Sequence, residues 1–259
     1  MRQPLFTIIT VTYNAEKAIV PTLRRVGAQT YDGEMEYLVI DGASSDKTLE
    51  LVKNSGIRGL KVVSEPDNGL YDAMNKGQSM ALGEYLIFLN AGDTFHSSET
   101  LAHFARAIEE NDRPGLVYGQ TVFVEGEDRH VIGMRHLTAP EVLTYRSFAD
   151  GMMVCHQAMC VLKRITSPYD TRYRFSADYD WAIKVLQHSR KNIYLPEIVI
   201  DYQYEGLTTR NQKSSLTERF CIMSYYYGIT PTLLRHVKFA LRSLRRRLKP
   251  NNNDYEQFT

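Results

Sequence analysis

Acidic and polar side chains recur in this chain where an apolar run stops, an arrangement suited to a charged ligand. Asp93 closes Asn90-Ala91-Gly92-Asp93, directly after the run Tyr85 to Leu89. A carboxylate there can hold Mg2+ or Mn2+ and leave the ion's other positions to water and phosphate oxygens. It can equally cap the helix expected near Ser98. Thr12, Tyr13 and Asn14 end the first run with a hydroxyl, an aromatic face and an amide, groups that can hydrogen-bond and stack on a nucleotide base. Asn14 would serve as well as a helix cap. Asp41 ends a second run in Asp41-Gly42-Ala43-Ser44, where a carboxylate can accept the imino N–H of a base such as uracil or only serve the turn.

The segment Ser64 to Gly77 concentrates polar groups in a turn and the helical turns after it. An amphipathic surface helix accounts for Asn75 and Lys76, but less well for Asp67 and the rest of the segment beside a ligand crevice. Gly69 allows close backbone approach to a ligand, and Lys76 can help neutralise a diphosphate. His156-Gln157 interrupts the apolar run Met152 to Leu162, where a lone histidine is more often a core residue than a ligand. Asp178 and Asp180 open a helix, a position the helix dipole favours structurally and one that also suits a general base.

These residues need a scaffold that brings strand ends together. Phe6–Thr12, Tyr37–Ile40, Leu60–Ser64 and Tyr85–Leu89 read as strands, alternating with helical patterns over Lys17–Ala28, after Ser45 and over Leu70–Met80. Such alternation implies a parallel sheet with right-handed crossovers, and ligands bind outside the carboxyl ends of such strands. Further on, the pattern predicts helices over Ser98–Glu109 and Tyr179–His188. It predicts strands over Leu116–Val124, Met153–Leu162 and Asn192–Tyr202, then a helical tail from Leu216 broken near Pro231.

Composition narrows the class. A formal net charge of +1 gives no overall bias toward nucleic acid. Three cysteines without a CxxC pair argue against a disulfide framework or a zinc site. No basic n-region with a long apolar stretch opens the chain, so no signal peptide is expected, and no run reaches the ~18 apolar residues of a membrane span. A cytoplasmic location is the expectation.

Taken together, Ser64–Gly77, Gly83-Glu84, Phe88-Leu89-Asn90-Ala91-Gly92-Asp93, His156-Gln157 and Ala177-Asp178-Tyr179-Asp180 resemble family 2 glycosyltransferases of the GT-A fold. The resemblance is to the branch that builds colanic-acid-like exopolysaccharides, and it covers residues 4 to about 205. It implies an α/β, Rossmann-like, mostly parallel sheet flanked by helices, with a helical C-terminal appendage. Residues 1–210 would form the catalytic domain, with 1–95 the nucleotide-binding half and 96–210 the acceptor-side half, and 211–259 the basic appendage.

For the site, the resemblance implies that Thr12, Tyr13, Asn14, Asp41, Asp67, Gly69, Asn75, Lys76 and Asn90 serve the nucleotide. Asp93 would carry Mn2+ or Mg2+, Asp178 would be the base, and His156, Gln157 and Asp180 would lie on the acceptor and diphosphate side. The donor would be a UDP- or GDP-sugar and the acceptor a polyprenyl-linked sugar or oligosaccharide, with inversion at the anomeric carbon. Two departures stand out. Asp-Asp-Gly-Ser is here Asp41-Gly42-Ala43-Ser44, and Asp-x-Asp-Asp is reduced to Asn90-Ala91-Gly92-Asp93. A nucleotidyltransferase or a silent glycan-binding protein on the same scaffold are the competing classes.

The tail from Thr232 to Lys249 mixes Leu233, Leu234, Val237, Phe239, Leu241, Leu244 and Leu248 with basic residues. Such a helix can lie on an anionic membrane or dock on the domain with a solvated basic face. Glu205 to Thr209 is a further candidate border of the acceptor site.

Overall fold

A computed structural model describes residues 3–126, 128–204 and 212–247. Its central strand, β1 (Phe6–Thr12), is buried along its whole length. Phe-Thr-Ile-Ile-Thr-Val-Thr lacks polar alternation because both faces are covered, as a central parallel strand requires. β2 (Met35–Asp41) and β4 (Tyr85–Phe88) flank it in parallel, and β3 (Leu60–Ser64) extends the sheet beyond β2. The register aligns Thr12 with Asp41 and Asp41 with Ser64, so three strands end level. Asn90 to Asp93 follow β4 at the same edge, since β1 and β4 pair Ile9 with Phe88.

Helices hold this edge from both faces. α1 (Ile19–Gly27) buries Ile19, Thr22, Leu23 and Val26, the one-face spacing of an amphipathic helix. α2 (Thr48–Lys53) follows β2, and α3 (Leu70–Met80) lies over β1 and β2. α3 approaches the sheet at Gly77, where a Cβ would come within 2.5 Å of Ile9 Cγ2.

The other half of the sheet mixes directions. β8 (Met159–Leu162) runs antiparallel to β4, and β6 (Leu116–Glu125) antiparallel to β8. β9 (Asn192–Gln203) is parallel to β6, two-residue β5 (Thr94–Phe95) pairs with β9, and β7 (His130–Met134) forms a hairpin on β6. β5 and β7 carry no clear period in the sequence and were not anticipated. The strand expected over Met153–Leu162 is shorter, because a 3-10 turn at His156–Ala158 precedes β8. α4 (Thr100–Glu110) and α5 (Ala177–His188) match the expected helices, α5 beginning two residues early.

The tail forms α6 (Gln212–Tyr227) and α7 (Ile229–Arg247), separated at Gly228, whose φ of 88° a side chain would resist. Ile222 and Met223 of α6 are buried in the main core, so this helix covers the sheet domain. In α7, Thr232 and Phe239 turn inward, whereas Leu233, Leu234, Val237 and Leu241 are exposed. The side chains of Leu244 and Leu248, and the segment Glu205 to Thr209, lie outside the described residues. Among the described residues, no helix is long and apolar enough to cross a membrane.

Candidate active site

Two unpaired oxygens mark the carboxyl edge of the parallel strands. Thr12 Oγ1 and Asn90 Oδ1 are buried without a hydrogen-bond partner, one after β1 and the other after β4. Buried polar atoms are nearly always partnered, so a ligand at this edge would remove a standing cost of about 1–3 kcal/mol for each. Tyr13 beside them is 65% exposed and presents its ring to solvent. Gly42 faces both Tyr13 and Asp67: a Cβ there would meet Asp67 Oδ2 at 2.6 Å and Tyr13 Cδ2 at 3.4 Å. The missing side chain therefore lets a carboxylate and an aromatic face border one space.

Several expected nucleotide ligands are engaged in building that edge. Asp41 is fully buried. Its carboxylate accepts from the Ser44 backbone N–H at 3.0 Å, from Ser64 Oγ at 2.6 Å and from Ser44 Oγ. Asn14 adopts φ 46°, and its Oδ1 accepts from the Ser45 backbone N–H at 2.9 Å, tying the β1–α1 loop to the β2–α2 loop. Asn75 clasps the backbone of Tyr169, accepting at 2.7 Å and donating at 3.0 Å. Lys76 donates to Pro66 O at 2.8 Å and pairs with Glu65 at 2.9 Å. Asp67 uses one oxygen to accept from Gly69 N at 2.8 Å, and Gly69 takes φ 114° at the start of α3.

Asp93 lies deeper. One oxygen accepts from Gln157 Nε2 at 2.8 Å and the other from the Gln203 backbone N–H at 3.0 Å. Burial outweighs these donors and the nearby Arg129, and pushes its pKa up to about 7. A cation bound here would have to displace a proton that burial holds more tightly than on an ordinary carboxyl. Among the described residues no group of three or more His, Cys, Asp or Glu side chains could hold a metal. Any ion here would rest on Asp93 and on neutral or ligand oxygens, a donor set that suits a hard divalent cation. Arg129 braces the turn, donating to Gly92 O at 2.8 Å and Thr94 Oγ1 at 3.1 Å.

Asp178 stands in the first turn of α5, half-buried. Its Oδ1 accepts from Tyr71 OH at 3.0 Å and from the Tyr179 backbone N–H at 2.9 Å. Tyr71 was not singled out in the sequence, although it sits inside the polar segment before α3. Asp180 faces elsewhere, accepting from Tyr226 OH at 2.8 Å and pairing with Lys184 at 2.6 Å. His156 is a core residue. Its ring packs against Phe88 and Trp181, its Nε2 shares a 2.7 Å hydrogen bond with Tyr169 OH, and burial pushes its pKa down to about 4.

Asp93 and Asp178 are tied to the same 3-10 turn, His156–Ala158. Cys155 and Tyr202 each feel both acidic groups, and both have their pKa values raised, chiefly by burial. The 3-10 turn links the two sides: Gln157 reaches Asp93, while His156 touches Tyr169, which stacks on Tyr71, the donor to Asp178. A separate cleft of about 720 Å3 lies at the opposite edge of the sheet, lined by Arg24, Tyr31, Asn54 and Arg58 among others, with no acidic side chain.

The model for glycosyl transferase family 2 matches residues 7–166. A PGL/p-HBAD biosynthesis glycosyltransferase of Mycobacterium tuberculosis (strain ATCC 25177 / H37Ra) is 31% identical over 224 residues, covering 84% of this chain and 80% of that protein. Amylovoran biosynthesis glycosyltransferase AmsB of Erwinia amylovora is 27% identical, covering 78% of this chain and 70% of that protein. S. aureus TarS 1-349, solved with UDP-GlcNAc, has the same fold with a TM-score of 0.69 at 21% identity, over 90% of this chain and 73% of that one. Mannosyltransferase PcManGT from Pyrobaculum calidifontis, solved with GDP-Man and Mn2+, gives 0.62 at 17% identity, over 93% and 76%. The fold is the expected GT-A arrangement, a sheet flanked by helices with a helical C-terminal segment. A family model spanning most of the chain, and a relative matched along most of both lengths, establish that this chain belongs to glycosyl transferase family 2.

Proposed function

We propose that this chain transfers a sugar from a nucleoside-diphosphate sugar to a hydroxyl of a glycan or lipid-linked acceptor, with inversion, in the assembly of a bacterial surface polysaccharide. The observation that carries the reading is the link between Asp93 and Asp178 through one 3-10 turn: Gln157 donates to Asp93, and His156 bonds Tyr169, which stacks on Tyr71, the donor to Asp178. The unpaired Thr12 Oγ1 and Asn90 Oδ1 give the donor side groups that need a ligand. Solved relatives of the same fold, bound to UDP-GlcNAc and to GDP-Man with Mn2+, support a UDP- or GDP-sugar.

In this reading the base stacks on Tyr13 and its imino N–H is accepted by Asp67, since Asp41 spends its oxygens on Ser44 and Ser64. Asp93 would hold Mn2+ or Mg2+ together with Asn90 Oδ1, and the ion supplies charge neutralisation to the departing diphosphate. Asp178 takes the proton of the acceptor hydroxyl on Oδ2. Its Oδ1 is fixed by Tyr71 and the Tyr179 N–H, which aims the free oxygen. Attack in line with the leaving diphosphate inverts the anomeric centre. His156 stays neutral and supports Tyr169, and Gln157 orients Asp93.

The exposed apolar face of α7 and its basic flank support contact with the cytoplasmic face of an anionic membrane, where a polyprenyl-linked acceptor would be met. The experiment is a donor panel of UDP- and GDP-sugars with Mn2+, reading released nucleoside diphosphate. Asp178→Asn is expected to lower turnover by roughly 10²- to 10⁴-fold while nucleotide-induced thermal stabilisation persists. Wild-type turnover by that variant would sink the assignment. A silent glycan-binding protein would release nothing with any donor.

A further inference from the structure

The helix that carries Asp178 is not capped by its own serine. Ser176 is the N-cap of α5, a position where a serine hydroxyl ordinarily accepts from the free N–H groups of the first turn, yet it makes no such bond. Its hydroxyl is turned to α6 instead, 3.0 Å from Ser215 Oγ and 3.3 Å from Ser215 O, with both serines buried. One turn along α6, Glu218 spends both carboxylate oxygens on the chain entering α5. Oε1 accepts from the Arg174 backbone N–H at 2.9 Å and Oε2 from the Phe175 backbone N–H at 2.9 Å. Beyond Asp178, Tyr226 OH donates to Asp180 Oδ1 at 2.8 Å.

These contacts lie on one face of α6. Ser215, Glu218, Ile222 and Tyr226 recur at helical spacing, and Ile222 is fully buried between the polar contacts. The helix therefore touches the chain before Asp178 at Arg174, Phe175 and Ser176, and after it at Asp180. An aspartate side chain is short, so where its oxygens stand is set by the backbone that carries it. The Tyr179 N–H, in the same first turn, donates to Asp178 Oδ1 at 2.9 Å and to Ser176 O at 3.1 Å, joining the carboxylate to the clamped serine.

We propose that Glu218 is a positioning residue for Asp178, and that α6 is a working part of the catalytic half of the molecule instead of a detached appendage. Charge-assisted bonds to successive backbone N–H groups fix the entry to α5 in direction as well as place. With the entry fixed, Asp178 Oδ1 meets Tyr71 OH and the Tyr179 N–H, and Oδ2 is left aimed at the acceptor hydroxyl. A displacement of ~1 Å at a reacting group can cost roughly 10²-fold in rate. The effect on catalysis rests on the proposed function, but the clamp on α5 does not.

The test uses the full chain and Glu218→Gln, a near-isosteric change whose amide can accept from one of the N–H groups but turns a donor toward the other. Amide hydrogen exchange followed by NMR reads the Tyr179 N–H, and the donor that turns over in the panel of UDP- and GDP-sugars gives kcat and KM. Exchange at Tyr179 is expected to quicken about tenfold, and kcat to fall about tenfold with donor KM unchanged. Unchanged exchange leaves Glu218 a packing role and overturns the proposal whatever kcat does. Faster exchange with unchanged kcat, or with a change confined to donor KM, overturns it as well. Should Glu218→Gln not fold, Tyr226→Phe removes a single hydroxyl from the same face of α6, with the same directions expected and wild-type values again decisive against. If no donor turns over, the proposed function fails, while exchange at Tyr179 still decides the clamp: quickened exchange supports it and unchanged exchange overturns it.

Discussion

Asp93 is an almost fully buried acid, with Gln157 and the Gln203 N–H as its donors. Its folded pKa of about 7 lies above the ordinary value of 3.8, so the native state binds this proton more tightly than the unfolded chain. The stability that follows is complete below about pH 4 and is lost as pH rises through about 7. Asp93→Asn cannot lose a proton. The variant without cation should therefore be about 4 kcal/mol more stable than wild type at pH 8, and nearly equal to it around pH 4. Urea denaturation at the two pH values checks this; the same difference at both would refute the assigned environment. Tyr71 acts through Asp178 by holding Oδ1. Tyr71→Phe should lower kcat by about tenfold with donor KM unchanged, the signature of an interaction used in the chemical step. A variant that raises only donor KM would move Tyr71 to the nucleotide side.

Helix α3 carries the polar segment to the cleft because it can lie close to β1 and β2. Gly77 permits this, with Ile9 Cγ2 and Ile40 Cγ1 at 2.5 Å and 3.2 Å from where a Cβ would be. Both contacts are branched core side chains with little room to withdraw. Gly77→Ala should cost about 1–3 kcal/mol in stability despite the better helix propensity of alanine, and should weaken nucleotide binding by shifting Asp67. An unchanged urea midpoint would show that α3 has room to spare. The 3-10 turn at His156–Ala158 is the other decisive element. An apolar run there reads as one strand, yet the chain must bend so that Gln157 reaches Asp93 while His156 enters the aromatic cluster of Phe88, Tyr169 and Trp181.

For the molecule as a whole, α6 covers the sheet domain and α7 carries an outward apolar face. From Ile229 to Lys249 the sequence holds seven Lys and Arg residues and no acid. Three of them, Arg235, Lys238 and Arg242, contact Asp150 and so hold α7 on the domain. Leu234 and Val237 are 69% and 60% exposed on the far side. One face of α7 is thus docked on the domain, while another is apolar and exposed. Replacing Leu234→Glu and Val237→Glu together should reduce co-sedimentation with anionic phospholipid vesicles about tenfold, leaving nucleotide binding unchanged. Equal sedimentation would assign that face to something other than lipid.

The order of the first four strands and the helices between them, and the family, were legible in the sequence. These depend on local patterns: apolar runs ending in Thr12, Asp41 and Asn90, and the polar segment leading into α3. Which of the polar residues remain free was decided only in three dimensions. Asp41 and Asp67 look alike as strand-end acids, but Ser44 and Ser64 occupy one and Gly42 opens beside the other. Likewise Tyr71 and Asp178, far apart in the chain, become hydrogen-bonded only when α3 and α5 come together. Local sequence governs backbone preference, whereas the protonation and availability of a side chain are set by whatever the fold brings opposite it.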